Sequence, residues 1–143
     1  MIFTLNNLEN IISTFANSNY FVTTYKYGNF LNAINEKNLK YPILVADFRG
    51  GNLTRINTST SIIATVADRV LSDESNLLEV YSDRLQVARD LYTELNTYKD
   101  KFEITSATFE PFLEKSGDVL AGYVITININ ILDVNCPNEI PKP

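Results

Sequence analysis

The chain has 143 residues, 45% of them hydrophobic and 20% charged, enough for one domain that buries about 70% of the surface its unfolded form exposes, and too apolar for wholesale disorder. No apolar run approaches the roughly 20 residues of a membrane helix; the first lysine, Lys26, lies too far in for a secretory signal; and the single cysteine, Cys136, excludes an intramolecular disulfide and fits a reducing compartment. The net charge of −5 divides into +2 over residues 1–55 and −7 over residues 56–143, so no stretch supplies the concentrated basic face that duplex binding needs.

Leu5, Leu8, Ile12 and Phe15 step by three and four along one helical face, with Thr4 placed to cap it. Asn17-Ser18-Asn19 ends that pattern, and the β-branched and aromatic run over 20–27 favours an extended segment, which Gly28-Asn29 breaks. A short helix through Phe30, Leu31 and Ile34 leads to the polar turn Asn35-Glu36-Lys37-Asn38. Tyr41-Pro42 then opens a strand, since a proline is acceptable only near a strand's start, and the apolar stretch from Ile43 to Ala46 predicts burial on both faces. Arg49-Gly50-Gly51-Asn52 reads as a turn into a second strand over 57–68, where Ile62, Ala64 and Val66 alternate with Ile63, Thr65 and Ala67.

Asn76-Leu77-Leu78-Glu79 has the form of a capping box. Leu78, Tyr81, Leu85, Ala88, Tyr92 and Leu95 follow at steps of three and four, widened by Leu77, Val87 and Leu91. The pattern predicts a helix over 76–97, about 33 Å long, whose apolar stripe needs a sheet to lie on. A last hairpin runs over 104–113, turns at Glu114-Lys115-Ser116-Gly117-Asp118 and returns over 122–134. In that final strand Tyr123, Ile125, Ile127, Ile129 and Ile131 form one face, and Val124, Thr126, Asn128, Asn130 and Leu132 the other. Period two over this length cannot be matched by a helix. Asn135-Cys136-Pro137 stops the strand and closes a single domain over 1–137, leaving 138–143 as an extended tail. The expected class is α+β: a mostly antiparallel four-stranded sheet, in the order α-(α)-β-β-α-β-β, with the long helix packed across one face.

There is no histidine, so the commonest general acid/base, the commonest metal ligand and every Ser-His or Cys-His pair are missing. Asp68, Asp73 and Glu74 cluster after a strand, where oxygen ligands suit a hard cation, but their spacing matches no calcium loop. Arg49-Gly50-Gly51-Asn52 lacks both the P-loop ending and the G-x-G-x-x-G spacing of a phosphate cradle. Cys136 stands beside a proline with no base in reach along the sequence. No catalytic residue, cofactor or metal is expected. The polar face carrying Thr126, Asn128 and Asn130, by contrast, is a surface that a neighbouring subunit could cover with amide hydrogen bonds at an available sheet edge. Binding is therefore more credible than catalysis, with a small carboxylate-dependent enzyme and a peptide-binding module as the readings of other classes.

The stretch over 75–95, together with Ala107-Thr-Phe-Glu-Pro-Phe112, Asp118-Val-Leu-Ala-Gly-Tyr123 and Ile131-Leu-Asp-Val-Asn-Cys-Pro137, resembles the tail-terminator, or head–tail joining, proteins of tailed bacteriophages. The resemblance extends over about residues 5–137 and includes the order of elements. It implies a virion protein, assembled in the bacterial cytoplasm, that forms a homo-oligomeric ring, sixfold favoured and twelvefold also possible. That ring would sit at the head-proximal end of the tail or in the neck, bound to adjacent portal, neck or tail proteins. DNA would pass through the lumen without specific binding, and no membrane is implied. In a short-tailed phage the same ring would bridge portal and tail. By position, the contacts with neighbours are expected at Arg49, Gly50, Gly51 and Asn52, at Glu114, Lys115, Ser116, Gly117 and Asp118, at Thr126, Asn128 and Asn130, and at Asn135, Cys136 and Pro137. The family implies no catalytic residues.

Overall fold

A computed structural model describes residues 3–115 and 117–132. Their elements, in chain order, are α1 (Leu5–Ser18), β1 (Thr24–Tyr27), α2 (Phe30–Ile34), β2 (Ile43–Leu53), β3 (Asn57–Arg69), α3 (Leu77–Asn96), β4 (Phe102–Glu114) and β5 (Leu120–Leu132). The class is α+β, and both expected hairpins are present, β2 with β3 and β4 with β5. The sheet, however, has five strands rather than four, in the order β1-β2-β3-β5-β4. The additional strand is β1, which runs parallel to β2 from Thr24 beside Ile43 to Tyr27 beside Ala46. A parallel pair needs a crossover instead of a tight turn, and α2 lies within it. The other three pairings are antiparallel.

The helices differ in how they begin. Thr4 caps α1 as expected: its hydroxyl accepts from the Asn7 N–H at 3.2 Å, and the Thr4 N–H donates to Asn7 Oδ1 at 3.3 Å. The capping box expected at α3 is not formed. Asn76 has φ −100° and ψ 12°, away from the extended backbone of a cap, and its Oδ1 turns back to accept from the Leu71 N–H at 2.8 Å. Asn76 thus closes the β3–α3 loop.

Both α1 and α3 pack on the isoleucine face of the sheet. Leu8 and Ile12 of α1 and Val87, Leu91 and Leu95 of α3 meet Leu44, Ile62 and Val66, together with Ile125, Ile127, Ile129 and Ile131. Burying one such side chain contributes about 1.5–3 kcal/mol, so this layer is the main source of stability. The face of α3 that enters it is rotated from the expected stripe. Val80, Arg84, Val87, Ala88, Leu91 and Leu95 are buried, whereas Leu78 is 82% and Leu85 39% exposed. With apolar residues on about half its circumference, α3 has two possible stripes, and contact with the sheet selects one.

Among the described residues the opposite face is covered at one end, where Ala33 of α2 packs with Ile43, Val45 and Ala67. The Arg49-Gly50-Gly51-Asn52 stretch is not a turn. It belongs to β2, whose pairing with β3 shifts register between Arg49 and Gly51, and the chain reverses over residues 54–56. A Cβ on Gly51 would fall 1.7 Å from the Ser59 carbonyl oxygen. The glycine pair therefore admits a bulge within a strand, whereas the sequence alone shows only a turn-forming composition.

Candidate interaction surfaces

The carboxylates suspected of binding a cation point to other partners. Asp68 Oδ1 accepts from the Arg69 N–H at 2.7 Å. Glu74 pairs with Lys115 at 3.4 Å. Asp73 Oδ1 accepts from the Ser75 N–H at 3.1 Å, and hydrogen bonds from Ser75 hold this exposed carboxyl below the usual range. Among the described residues no three histidine, cysteine, aspartate or glutamate side chains converge as a metal site.

The polar sheet face forms its own network. Asn128 bridges three strands: its amide oxygen accepts from the Ser61 hydroxyl of β3, and its amide nitrogen donates to the Ser106 hydroxyl of β4 at 2.7 Å. Thr105 Oγ1 donates to the Asn128 carbonyl at 3.1 Å. Thr126 stands in register between Ile63 and Thr108, and Asn130 between Ser59 and Glu103. The expectation that this strand offers a free edge is corrected: β5 is interior, flanked by β3 and β4. The amide groups of Asn128 are already engaged within the sheet. The turn after β4 is likewise tied inward, with Asp118 paired to Arg69 at 3.3 Å. Gly117 lies in the same turn, whereas Ser116, Asn135, Cys136 and Pro137 fall outside the described residues.

Among the described residues the edge strands are β1 and β4. The contrast between them follows from coverage. Two packed helices, each about 10 Å across, span about four strands spaced 4.8 Å apart, which leaves the fifth strand uncovered. That strand is β4, exposed at residues 103 and 105–111. Pro111 is tolerated there because an edge strand need not donate outward. Between β4 and α3 runs a groove of about 670 Å³, lined by Leu85, Arg89, Tyr92, Ala107, Phe109 and Ile125. Phe109 is 54% exposed and sits edge-to-face on Tyr123 at 5.5 Å. A smaller cleft of about 260 Å³ lies on the opposite sheet face, beside Phe30, Asp47, Arg49 and Thr65.

Exposed apolar side chains also lie in and around β1 and α2, where Leu31 lines the smaller cleft. Tyr20, Tyr27 and Leu31 are 92%, 56% and 56% exposed. Lys26 of β1 pairs with Glu36 at 2.8 Å, and the Thr24 hydroxyl donates to the Lys40 carbonyl at 2.7 Å. Leu85, Tyr92, Phe109, Tyr20, Tyr27 and Leu31 lie outside the contact positions that the sequence suggests. A usable signal existed in α3, which carries more apolar side chains than one buried face can accept.

Tyr25 anchors β1 to α1, its hydroxyl donating to Glu9 Oε1 at 2.9 Å. Burial first, then the hydrogen bond to and charge of Glu9, push its phenol well above the ordinary tyrosine value. A raised folded-state pKa means that this contribution to stability is fully present below the unfolded value of about 10 and is lost as pH rises through the folded one. Tyr25→Phe should therefore cost about 1 kcal/mol at neutral pH and make the loss of stability at alkaline pH shallower, as read by urea unfolding across pH 8–11. An unchanged alkaline slope would contradict this assignment.

No protein-family model matches the chain, and no curated protein matches it. No helix among the described residues is long and apolar enough to cross a membrane.

Proposed function

We propose that this chain is a structural subunit of a tailed-bacteriophage virion, forming a closed ring at the head–tail junction or the head-proximal end of the tail. The observation that carries the reading is the β4 edge, a strand of 13 residues whose sheet partner among the described residues is β5, beside a groove lined by Leu85, Tyr92 and Phe109. A long sheet edge is a surface on which another chain can pair, although Pro111 and the register shift between Ile104 and Ser106 interrupt this one, and an open, mainly apolar groove whose polar lining is Ser82, Gln86, Arg89 and Thr108 suits a protein surface better than a small substrate. The residues behind the resemblance give the rest of the support. The 118–123 segment leads into β5, and the 75–95 stretch spans the start and most of the length of α3. A sixfold ring is favoured, its lumen passing DNA without binding it, and adjacent neck, portal or tail proteins would cap its two faces.

Electron microscopy of the purified protein and of virions tests this reading. Rings in isolation, or density for this subunit at the head–tail junction, are the expected results. Location inside the capsid, or absence from particles, would overturn it.

A further inference from the structure

We infer that the smaller cleft, between the start of α2 and the polar sheet face, binds a free α-amino acid with an aliphatic side chain. The site lies on a different surface from the α3–β4 groove and does not depend on the ring reading.

The cleft has a floor of sheet and a wall of loop. Val45 of β2, Ile63 and Thr65 of β3 and Val124 of β5 form the floor, and the segment 28–31, leading from β1 into α2, forms the wall. That wall is held in place. Asn29 Oδ1 accepts from the Leu31 N–H at 2.9 Å and the Asn32 N–H at 3.2 Å, and Phe30 packs edge-to-face on Phe112 at 5.5 Å. The volume of about 260 Å³ falls just below the roughly 300–1,000 Å³ of pockets for drug-sized ligands. An occupant of amino-acid size fits it.

Three polar groups of the cleft have capacity to spare. Thr65 is 4% exposed, yet its hydroxyl makes no hydrogen bond among the described residues, and a nearly buried hydroxyl in that state is a group for a ligand to satisfy. Asp47 and Arg49 stand two apart on β2 and line the same cleft. They form no ion pair with each other or with another described side chain; Asp47 Oδ1 accepts from the Phe48 N–H at 2.9 Å, and Oδ2 makes no bond among the described residues.

These charges select the ligand. A lone anion is attracted by Arg49 and repelled by Asp47, and a lone cation meets the reverse, whereas a zwitterion satisfies both. Register sets its direction. Thr65 lies beside Val45, Ile63 beside Asp47 and Ser61 beside Arg49, so the hydroxyl and the carboxylate mark one end of the cleft and the guanidinium the other. The ligand's ammonium donates to Asp47 and Thr65, its carboxylate accepts a forked pair of N–H bonds from Arg49, and its side chain lies against Phe30, Leu31 and Ile63.

The test titrates the full chain with L-leucine and follows backbone amides by NMR. Amides of residues 28–31, 47 and 65 should shift and saturate by about 10 mM. L-Leucinamide keeps only the ammonium and N-acetyl-L-leucine only the carboxylate; each should bind at least about tenfold more weakly. Asp47→Asn and Arg49→Gln, checked for folding by circular dichroism, should each weaken leucine binding by a similar factor. The inference is overturned if the amides do not saturate by about 10 mM, if either single-charge probe binds as well as leucine, or if either folded variant binds like the parent. The single-charge probes decide the matter on the parent chain even where a variant does not fold. Rings at the head–tail junction from a chain that ignores leucine remove this site alone, and leucine binding by a protein absent from virions removes only the ring.

Discussion

Gly122→Ala should destabilise the protein by about 3 kcal/mol, near the upper end of the cost of forcing atoms into a packed interior. Gly122 lies in β5 between Ala67 of β3 and Phe112 of β4. A Cβ there would fall 1.7 Å from the Val66 carbonyl oxygen and 2.9 Å from the Ala67 Cα. These are backbone atoms of a strand paired on both sides, so neither neighbour can rotate away as a flexible side chain would. Relief requires β3 or β5 to shift, and the isoleucine layer moves with either. For a domain whose total stability is on the order of 5–15 kcal/mol, the loss should appear as a clear drop in the urea midpoint with an unchanged slope. Gly50→Ala is the matched control. Nothing lies within 4 Å of a Cβ at Gly50, and its effect should stay within about 0.5 kcal/mol. Equal midpoints for the two variants would refute the close approach at Gly122.

Arg84→Ala should cost about 2–4 kcal/mol, and Arg84→Met at most half as much. Arg84 is a charged residue in the middle of the buried face of α3, with 1% of its surface exposed. One guanidinium nitrogen donates to the Phe21 carbonyl at 2.8 Å, which ties the α1–β1 loop to α3. Its Nε has no hydrogen-bond partner among the described residues. Burial pushes its pKa down, and the nearby charges of Asp68 and Asp83 oppose that shift. Truncation to alanine removes the stem packing and leaves the Phe21 carbonyl unpaired; methionine restores much of the stem volume while removing the costly charge. Urea unfolding measures the difference, and amide exchange over residues 20–23 should quicken in both variants. A cost below about 1 kcal/mol for Arg84→Ala would show that the loop is held by other contacts.

The elements legible in the sequence were those whose hydrophobic period is unambiguous. The β5 alternation from Tyr123 to Ile131 gave its buried face correctly, and Leu8 and Ile12 of α1 did the same. Thr4 was readable as a cap because its partner lies three residues away. Asn76 was misread for a related reason: its partner, Leu71, lies upstream of the helix, in a loop no helix pattern describes. Gly50 and Gly51 have turn composition, and only the opposing strand reveals a bulge. Of the interface positions expected from sequence, Asn128 proved to be engaged within the sheet. The groove residues went unmarked because Leu85, Tyr92 and Phe109 are chemically indistinguishable from core residues until the width of the helical layer is known.

By itself the sequence determined the periodicity of each long element, the α+β class and the uneven charge, because these depend on neighbours a few residues apart. Tertiary structure decided which of two apolar stripes on α3 is buried, that β1 joins as a fifth strand, and that β4 rather than β5 forms a free edge. Each of these depends on how much sheet two helices can cover. That is a property of packed layers, and no local pattern along the chain encodes it.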